Sequence, residues 1–201
     1  MKLAILISGR GSNLEAILRA IAEGRLEASP NLVVTNRAGA GGLDHARRHG
    51  IPTGVLSHLD FADRNAYDTA LVQLLREHGV DTVALAGFDR LVTPVLLGAF
   101  PGRVLNIHPA LLPAFPGLHA QRQALEYGAR VTGATVHFVD EQMDHGAIIA
   151  QAAVPVLDDD SEETLAARIL LEEHRLYPLA LQRLARGQLR LSGRRVIGGD
   201  P

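Results

Sequence analysis

An α/β fold with a mostly parallel sheet is predicted by three features of this 201-residue sequence. Aliphatic runs alternate with segments of helical period through the first half, in the order β-α-β-α. The first run is apolar throughout rather than alternating, as suits a strand covered on both faces. A glycine-rich turn, Ser8-Gly9-Arg10-Gly11-Ser12-Asn13, joins that run to the first helical segment, at the place where such sheets take ligands.

The elements follow in order. Residues 3–7 read as the first strand and 12–23 as a helix with Leu14, Ile17, Leu18 and Ile21 on one side. Residues 31–35 are a second strand, 42–49 a helix and 54–56 a short third strand. Residues 63–78 form a longer helix ended by Gly79 at C′. Strands at 82–86 and 103–108 complete a single-domain, Rossmann-like half flanked by helices. Residues 109–117 hold three prolines and read as a loop of restricted shape, and residues 120–128 as a helix. Residues 131–139 and 147–157 are strand-like around a polar turn, a C-terminal antiparallel hairpin added to the sheet. Residues 161–186 form the longest helix, with Ser161 as N-cap and a kink expected at Pro178. The tail, 188–201, is expected to hold one edge strand before a frayed end.

Composition narrows the chemistry. Hydrophobic residues are 47% and charged residues 21%, with 20 glycines and 10 prolines, which are globular values. A net charge of -2 gives no bulk attraction to nucleic acid or an anionic membrane. The absence of cysteine excludes disulfides, thiolate nucleophiles and Cys-ligated metal. Lys2 is the one lysine, so neither a Schiff-base lysine nor a P-loop lysine is expected. Nine histidines offer no H-x-x-x-H on one helix with a matching third ligand, and no metal is expected. No run approaches the ~18 apolar residues of a membrane span. Residues 1–7 lack the long core and cleavage site of a secretory signal. The expectation is a cytoplasmic protein with small-molecule substrates and no nucleic-acid or membrane partner.

The glycine turn suits one phosphate. Its glycines let the backbone approach a ligand, and the helix start offers N–H groups and a positive dipole end. Ser12 with Glu15 fits the capping box S-x-x-E. The dinucleotide fingerprint is incomplete: Leu14 stands at its third glycine, and Asn36 and Arg37 stand where an acidic residue is needed. A dinucleotide with Arg37 on a 2′-phosphate, or a turn with no ligand, remain the other readings.

Leu105-Asn106-Ile107-His108-Pro109 is the most informative stretch. Residues i and i+2 of a strand share a face, so Asn106 and His108 stand together at a strand's carboxyl end. An amide and an imidazole there can hold a developing oxyanion. A carboxylate beside His108 would favour its imidazolium form. The candidates are Asp140, Glu141, Asp144, Asp158, Asp159 and Asp160, and spacing does not choose Asp144 over Asp140. His45, His49, His58 and His78 read as surface residues. His137 shares a side with Thr135 and Val139, as a neighbour of the site or a core histidine, and His119 follows the Pro-rich loop as an outer neighbour.

Together these residues resemble a known family. The segments are Ile7-Ser8-Gly9-Arg10-Gly11-Ser12-Asn13-Leu14, Leu85-Ala86-Gly87-Phe88, Leu105-Asn106-Ile107-His108-Pro109, Leu111-Leu112-Pro113 with Pro116-Gly117, Val136-His137-Phe138-Val139, Asp144 with Gly146, and Glu173-His174 with Tyr177-Pro178. In order and spacing the sequence resembles the glycinamide ribonucleotide transformylases, or phosphoribosylglycinamide formyltransferases, over essentially its whole length. The resemblance implies a formyltransferase-like fold and one formyltransferase domain over 1–201. Its nucleotide-binding half would be 1–108, and 109–201 would complete a folate site. It implies transfer of a formyl group from the co-substrate 10-formyltetrahydrofolate to the amine of 5′-phosphoribosylglycinamide, a step of purine synthesis, without a metal and in a monomer or homodimer. On the family pattern Asn106, His108 and Asp144 are catalytic. Gly11, Ser12, Asn13 and Glu173 hold the ribonucleotide. Arg64, Asp89, Arg90, Leu91, Val92 and Asn106, with Asp140, Glu141, Gln142, Met143 and Asp144, line the folate pocket. The sequence departs from the pattern at Asp89, Ala110 and His145, and Thr135 replaces a frequent Ser while keeping the hydroxyl.

Two related enzymes and a non-enzyme compete. A methionyl-tRNA formyltransferase is expected to carry a further basic domain, and a formyltetrahydrofolate hydrolase an N-terminal regulatory domain. A nucleotide-binding module would need the glycine turn but not the Asn106 and His108 pair.

Overall fold

The aliphatic runs become strands because each is covered on both sides: Leu3 through Ile7 have no exposed surface. The structure, a computed structural model, describes residues 1–198. The order is β1 (Lys2–Ile7), α1 (Ser12–Ala22), β2 (Ser29–Thr35), α2 (Gly42–Arg48), β3 (Thr53–Val55), α3 (Arg64–Glu77), β4 (Thr82–Leu85), α4 (Pro94–Ala99), β5 (Val104–His108), α5 (Ala120–Tyr127), β6 (Val131–Phe138), β7 (Ile148–Pro155), α6 (Glu162–Ala185), β8 (Arg190–Ser192) and β9 (Arg195–Ile197). Seven strands take the order β3-β2-β1-β4-β5-β6-β7, the mostly parallel sheet with an antiparallel addition that the sequence predicts. Among the described residues no helix is long and apolar enough to cross a membrane.

The chain divides into two compact units, Met1–Asn106 and a second from Ile107 onward, two residues earlier than the division expected after 108. In the first, β1 pairs in parallel with β2 and β4, β2 with β3, and β4 with β5. The register sets Ile7 level with Thr35, and Leu6 with Leu85, so the carboxyl ends of β1, β2 and β4 lie side by side. Asp63 caps α3 through the Ala66 N–H at 2.8 Å. Helix α4 escapes the sequence reading because it is one short turn-and-a-half with a single buried residue, Leu96. Its signals are local: Thr93 as N-cap and Pro94 at the first position.

In the second unit β6 and β7 form the expected antiparallel hairpin. Helix α6 runs unbroken for 24 residues through Pro178, under a capping box of Ser161 and Thr164. It packs on β6 and β7. The tail corrects the expectation of one edge strand. β8 and β9 pair with each other as a separate two-stranded sheet, because Gly193, at φ 60, turns the chain back on itself. The frayed end expected after it lies outside the described residues.

Candidate active site

His108 ends β5 with 4% of its surface exposed. Its Nε2 lies 2.8 Å from the Phe115 carbonyl oxygen, and its Nδ1 lies 3.4 Å from Asp144 Oδ2. Both neighbours are acceptors, a carbonyl at one ring nitrogen and a carboxylate near the other. Asp144 Oδ2 also accepts the Gly117 N–H at 2.7 Å. The structure therefore chooses Asp144 as the partner that spacing left open against Asp140. Asp140 instead turns to its own loop, accepting from Gln142 N at 2.9 Å and facing His145 Nδ1 at 2.9 Å. Asp158, Asp159 and Asp160 stay apart: Asp158 pairs with Arg130, and Asp160 with Arg168 at 2.7 Å.

The backbone around Asp144 explains its aim. The turn between β6 and β7 puts Asp144 at φ 51, a left-handed conformation uncommon for a residue with a Cβ. Gly146 closes the turn on the end of β6, where a Cβ would stand 1.7 Å from the Phe138 carbonyl oxygen. The Pro-rich loop is held by Thr135. Its hydroxyl donates to the Ala110 carbonyl at 2.6 Å and accepts from Leu112 N at 3.1 Å and Gln151 Nε2 at 2.9 Å. That fixes the base of the segment bearing Phe115 and Gly117, and gives the hydroxyl kept at position 135 its use.

His137 belongs to this group. It is 2% exposed, gives its Nδ1 proton to the Phe138 carbonyl at 2.8 Å, and sets Nε2 3.8 Å from Asp144 Oδ1. Burial pushes its basicity down, against the Phe138 bond and the Asp144 charge, which raise it. The ring is the neutral neighbour in the cluster. Of the sequence's two readings for His137, proximity to the site holds. His119, at the N-cap of α5, is largely exposed and 3.8 Å from Glu162, away from these groups. Glu173 is buried on α6.

In the first unit the glycine turn opens α1 differently from the expected capping box. The N-cap is Gly11, at φ 78, and no side chain caps the helix. Glu15 pairs with His45 on α2 instead of reaching back to Ser12. The helix start thus lacks the side-chain cap that Ser12 was expected to give, and its N–H groups and positive dipole end suit an anion. Gly11 and Gly42 pack backbone on backbone: a Cβ on Gly11 would stand 2.6 Å from Gly42 Cα. Ser12 is half-buried and Asn13 buried in this first turn.

The segment after β4 is fastened at both ends. Ser8 Oγ lies 2.6 Å from Asn36 Oδ1 and 2.8 Å from Asp89 Oδ1, and accepts Asp89 N–H at 3.0 Å. Asn36 Nδ2 donates to Asp89 Oδ1 at 2.8 Å, and Arg37 pairs with Asp89 Oδ2. Burial pushes the Asp89 carboxyl up, but the bonds from Asn36, Ser8 and Arg37 outweigh it and hold it below its usual range. Arg37 is thereby committed to a carboxylate, which removes the group that the 2′-phosphate reading needed. At the far end Thr93 N donates to the buried Asp68 at 2.6 Å. Arg90, exposed Leu91 and buried Val92 span the two anchors. Arg64 is exposed at the start of α3. Asn106, level with Leu85, shares a face of β5 with His108. Among the described residues no group of three His, Cys, Asp or Glu side chains could hold a metal ion.

Sequence reasoning left out the Phe115 carbonyl and the Gly117 N–H. Pro116-Gly117 marked a turn, but nothing in it told which atoms the turn would aim.

Comparison with known proteins gives the family. A family model described as formyl transferase matches residues 1–181. The chain is 44% identical over 191 residues to the phosphoribosylglycinamide formyltransferase of Escherichia coli (strain K12), covering 95% of this chain and 90% of that protein. It is 50% identical over 191 residues, 94% of its length, to a trifunctional purine biosynthetic protein of Drosophila pseudoobscura pseudoobscura, of which it spans only 14%. The crystal structure of glycinamide ribonucleotide transformylase 1 from Symbiobacterium toebii superposes with a TM-score of 0.97 at 52% identity, covering 98% of this chain and 93% of that one.

Proposed function

The chain belongs to the formyl transferase family, and from that premise we propose that it moves a formyl group from 10-formyltetrahydrofolate to the amine of 5′-phosphoribosylglycinamide. The observation that carries the reading is the buried His108 ring between the Phe115 carbonyl and the Asp144 carboxylate. An acyl transfer to an amine is helped by hydrogen-bond donors where the carbonyl oxygen becomes an oxyanion, and needs no covalent enzyme intermediate. The sequence identity to phosphoribosylglycinamide formyltransferases supports the choice of acceptor.

The acceptor amine attacks the formyl carbon, and negative charge gathers on the formyl oxygen. His108 turns its Nε2–H from the Phe115 carbonyl to that oxygen, and the Asn106 amide adds a second donor. Each is worth about 3 kcal/mol of barrier by comparison with other oxyanion donors. Asp144 keeps the ring charged and oriented through Nδ1. The tetrahedral intermediate collapses as the bond from formyl carbon to folate nitrogen breaks. One proton leaves the attacking nitrogen and one arrives on the leaving nitrogen, through His108, Asp144 or water. Gly11, Ser12 and Asn13 take the ribonucleotide phosphate at the helix start, and Glu173 a further group of that substrate. Arg64, the span from Asp89 to Val92 and the turn from Asp140 to Asp144 receive the folate. The enzyme is cytoplasmic and needs no metal.

The test mixes the purified chain with 10-formyltetrahydrofolate and follows loss of the formyl donor, with and without the ribonucleotide. Loss only with the ribonucleotide is expected. Loss without it would make the protein a hydrolase, and no loss in either case would overturn the proposal.

A further inference from the structure

The turn that carries Asp144 has exposed residues at its crest, Glu141, Gln142 and Met143. Its ends are secured by Gly146 against Phe138 and by the Phe138 N–H to Ala147 carbonyl bond at 2.9 Å. Something further must hold Asp144 at its left-handed φ, since such residues relax unless their surroundings over-determine them. We infer that Arg194, in the turn between β8 and β9, is a positioning residue for Asp144, acting through His145 and Asp140. The inference rests on the role of Asp144 proposed above.

The bonds form a directed chain. Arg194 Nη2 donates to the His145 carbonyl at 2.7 Å, and Arg194 Nη1 lies 2.8 Å from His145 Nε2 and 3.1 Å from its Nδ1. The Asp140 carboxylate 2.9 Å from Nδ1 can only accept, and Arg194 can only donate. The Asp140 contact therefore takes the Nδ1 proton in the ring plane, while Arg194 Nη1, near both ring nitrogens, lies over the ring face. Asp140 then accepts the Gln142 N–H with its other oxygen at 2.9 Å. The residue next to Asp144 is thus held at its carbonyl, over its ring and at Nδ1, and the hold reaches the near side of the turn through Asp140. The planar guanidinium can bond the carbonyl and stack on the ring together, which an ammonium cannot match.

These groups are partly exposed, His145 and Asp140 side chains by 43% and 41%. Exposed polar contacts add little to global stability. Their effect belongs to the local opening of the turn and, through it, to turnover.

The experiment compares the full chain with Arg194→Ala, Arg194→Lys, Asp144→Asn and the Arg194→Ala/Asp144→Asn double variant. Arg194→Ala is expected to lower kcat about tenfold, as for a small misplacement of a reacting group. The ribonucleotide KM and the melting temperature should hardly move. Backbone amides of residues 141–146 should exchange with solvent about tenfold faster, with those of β6 unchanged. Arg194→Lys should recover only part of the loss. In the Asp144→Asn background Arg194→Ala should cost nothing further, because its route to the chemistry is already gone. An equal loss with and without Asp144 would overturn the inference, and so would unchanged amide exchange in Arg194→Ala. The exchange measurement is independent of turnover: faster exchange in Arg194→Ala, with a wild-type chain that transfers no formyl group, would uphold the brace and sink the proposed function.

Discussion

At the end of β1 the first unit offers backbone N–H groups from consecutive residues, whereas the second unit gathers side chains from separate stretches around one carboxylate. Gly11, Ser12 and Asn13 present donors because a helix begins there, and no side chain is needed to aim them. Asp144 has its place through Gly117, His108 and His137, each on a different segment. A site made of backbone tolerates changes of side chain and fails only where the backbone path is blocked. A site made of side chains fails when one atom is lost.

The sharpest break of that comparison is at His108 and Asp144. His108→Ala should lower kcat by about 10²–10³. Asp144→Asn should also cut turnover strongly while leaving ribonucleotide binding in place, measured as kcat against KM. Near-full turnover in either would remove that residue's role. On the backbone side the corresponding blow is Gly11→Ala. The left-handed φ alone costs about 1–2 kcal/mol, and the Cβ meets Gly42. Urea unfolding should report that loss or more, with a raised ribonucleotide KM. An unchanged KM would detach the turn from phosphate binding.

A smaller effect lies at Asp89, where side chains do enter the first unit's ligand end. Its carboxyl is held below the usual range, so its contribution is complete above the unfolded value of about 3.9 and fades as pH falls through the lower folded value. Asp89→Asn should cost about 1 kcal/mol or less at neutral pH, and should remove that part of the acid sensitivity in a pH series of unfolding curves. The smallest concerns His137, whose folded basicity is depressed by burial. The unfolded chain takes up the proton first, at about 6.5, so stability should decline as pH drops below that value. His137→Asn should flatten the decline.

What was legible follows the same divide. The β1 to α3 order, the hairpin of β6 and β7 and the long α6 were readable because period and capping are local. Asn106 and His108 were readable because one strand carries both. The capping box was misread because Ser12 and Glu15 satisfy the spacing, while Glu15 finds His45, 30 residues away, through the packing of α1 on α2. Asp144 against Asp140 was undecidable because either carboxylate could leave that turn toward His108. Only the left-handed backbone at 144 and the Gly117 N–H decide it.

The sequence by itself determined the alternation of strands and helices, the glycine turn, the pair at the end of β5 and the absence of thiol chemistry, since each depends on neighbouring residues or on composition. Tertiary structure alone decided which carboxylate serves His108, that the Phe115 carbonyl holds its other nitrogen, that His137 completes the cluster, and that Asp89 captures Arg37. Asp144 meets His108 and Asp89 meets Arg37 from segments far apart in the chain, while His108 meets Phe115 and His137 meets Asp144 across seven residues of turn and loop. Their partners are selected by where the backbone folds, to within a fraction of an ångström, and residue spacing carries no such information.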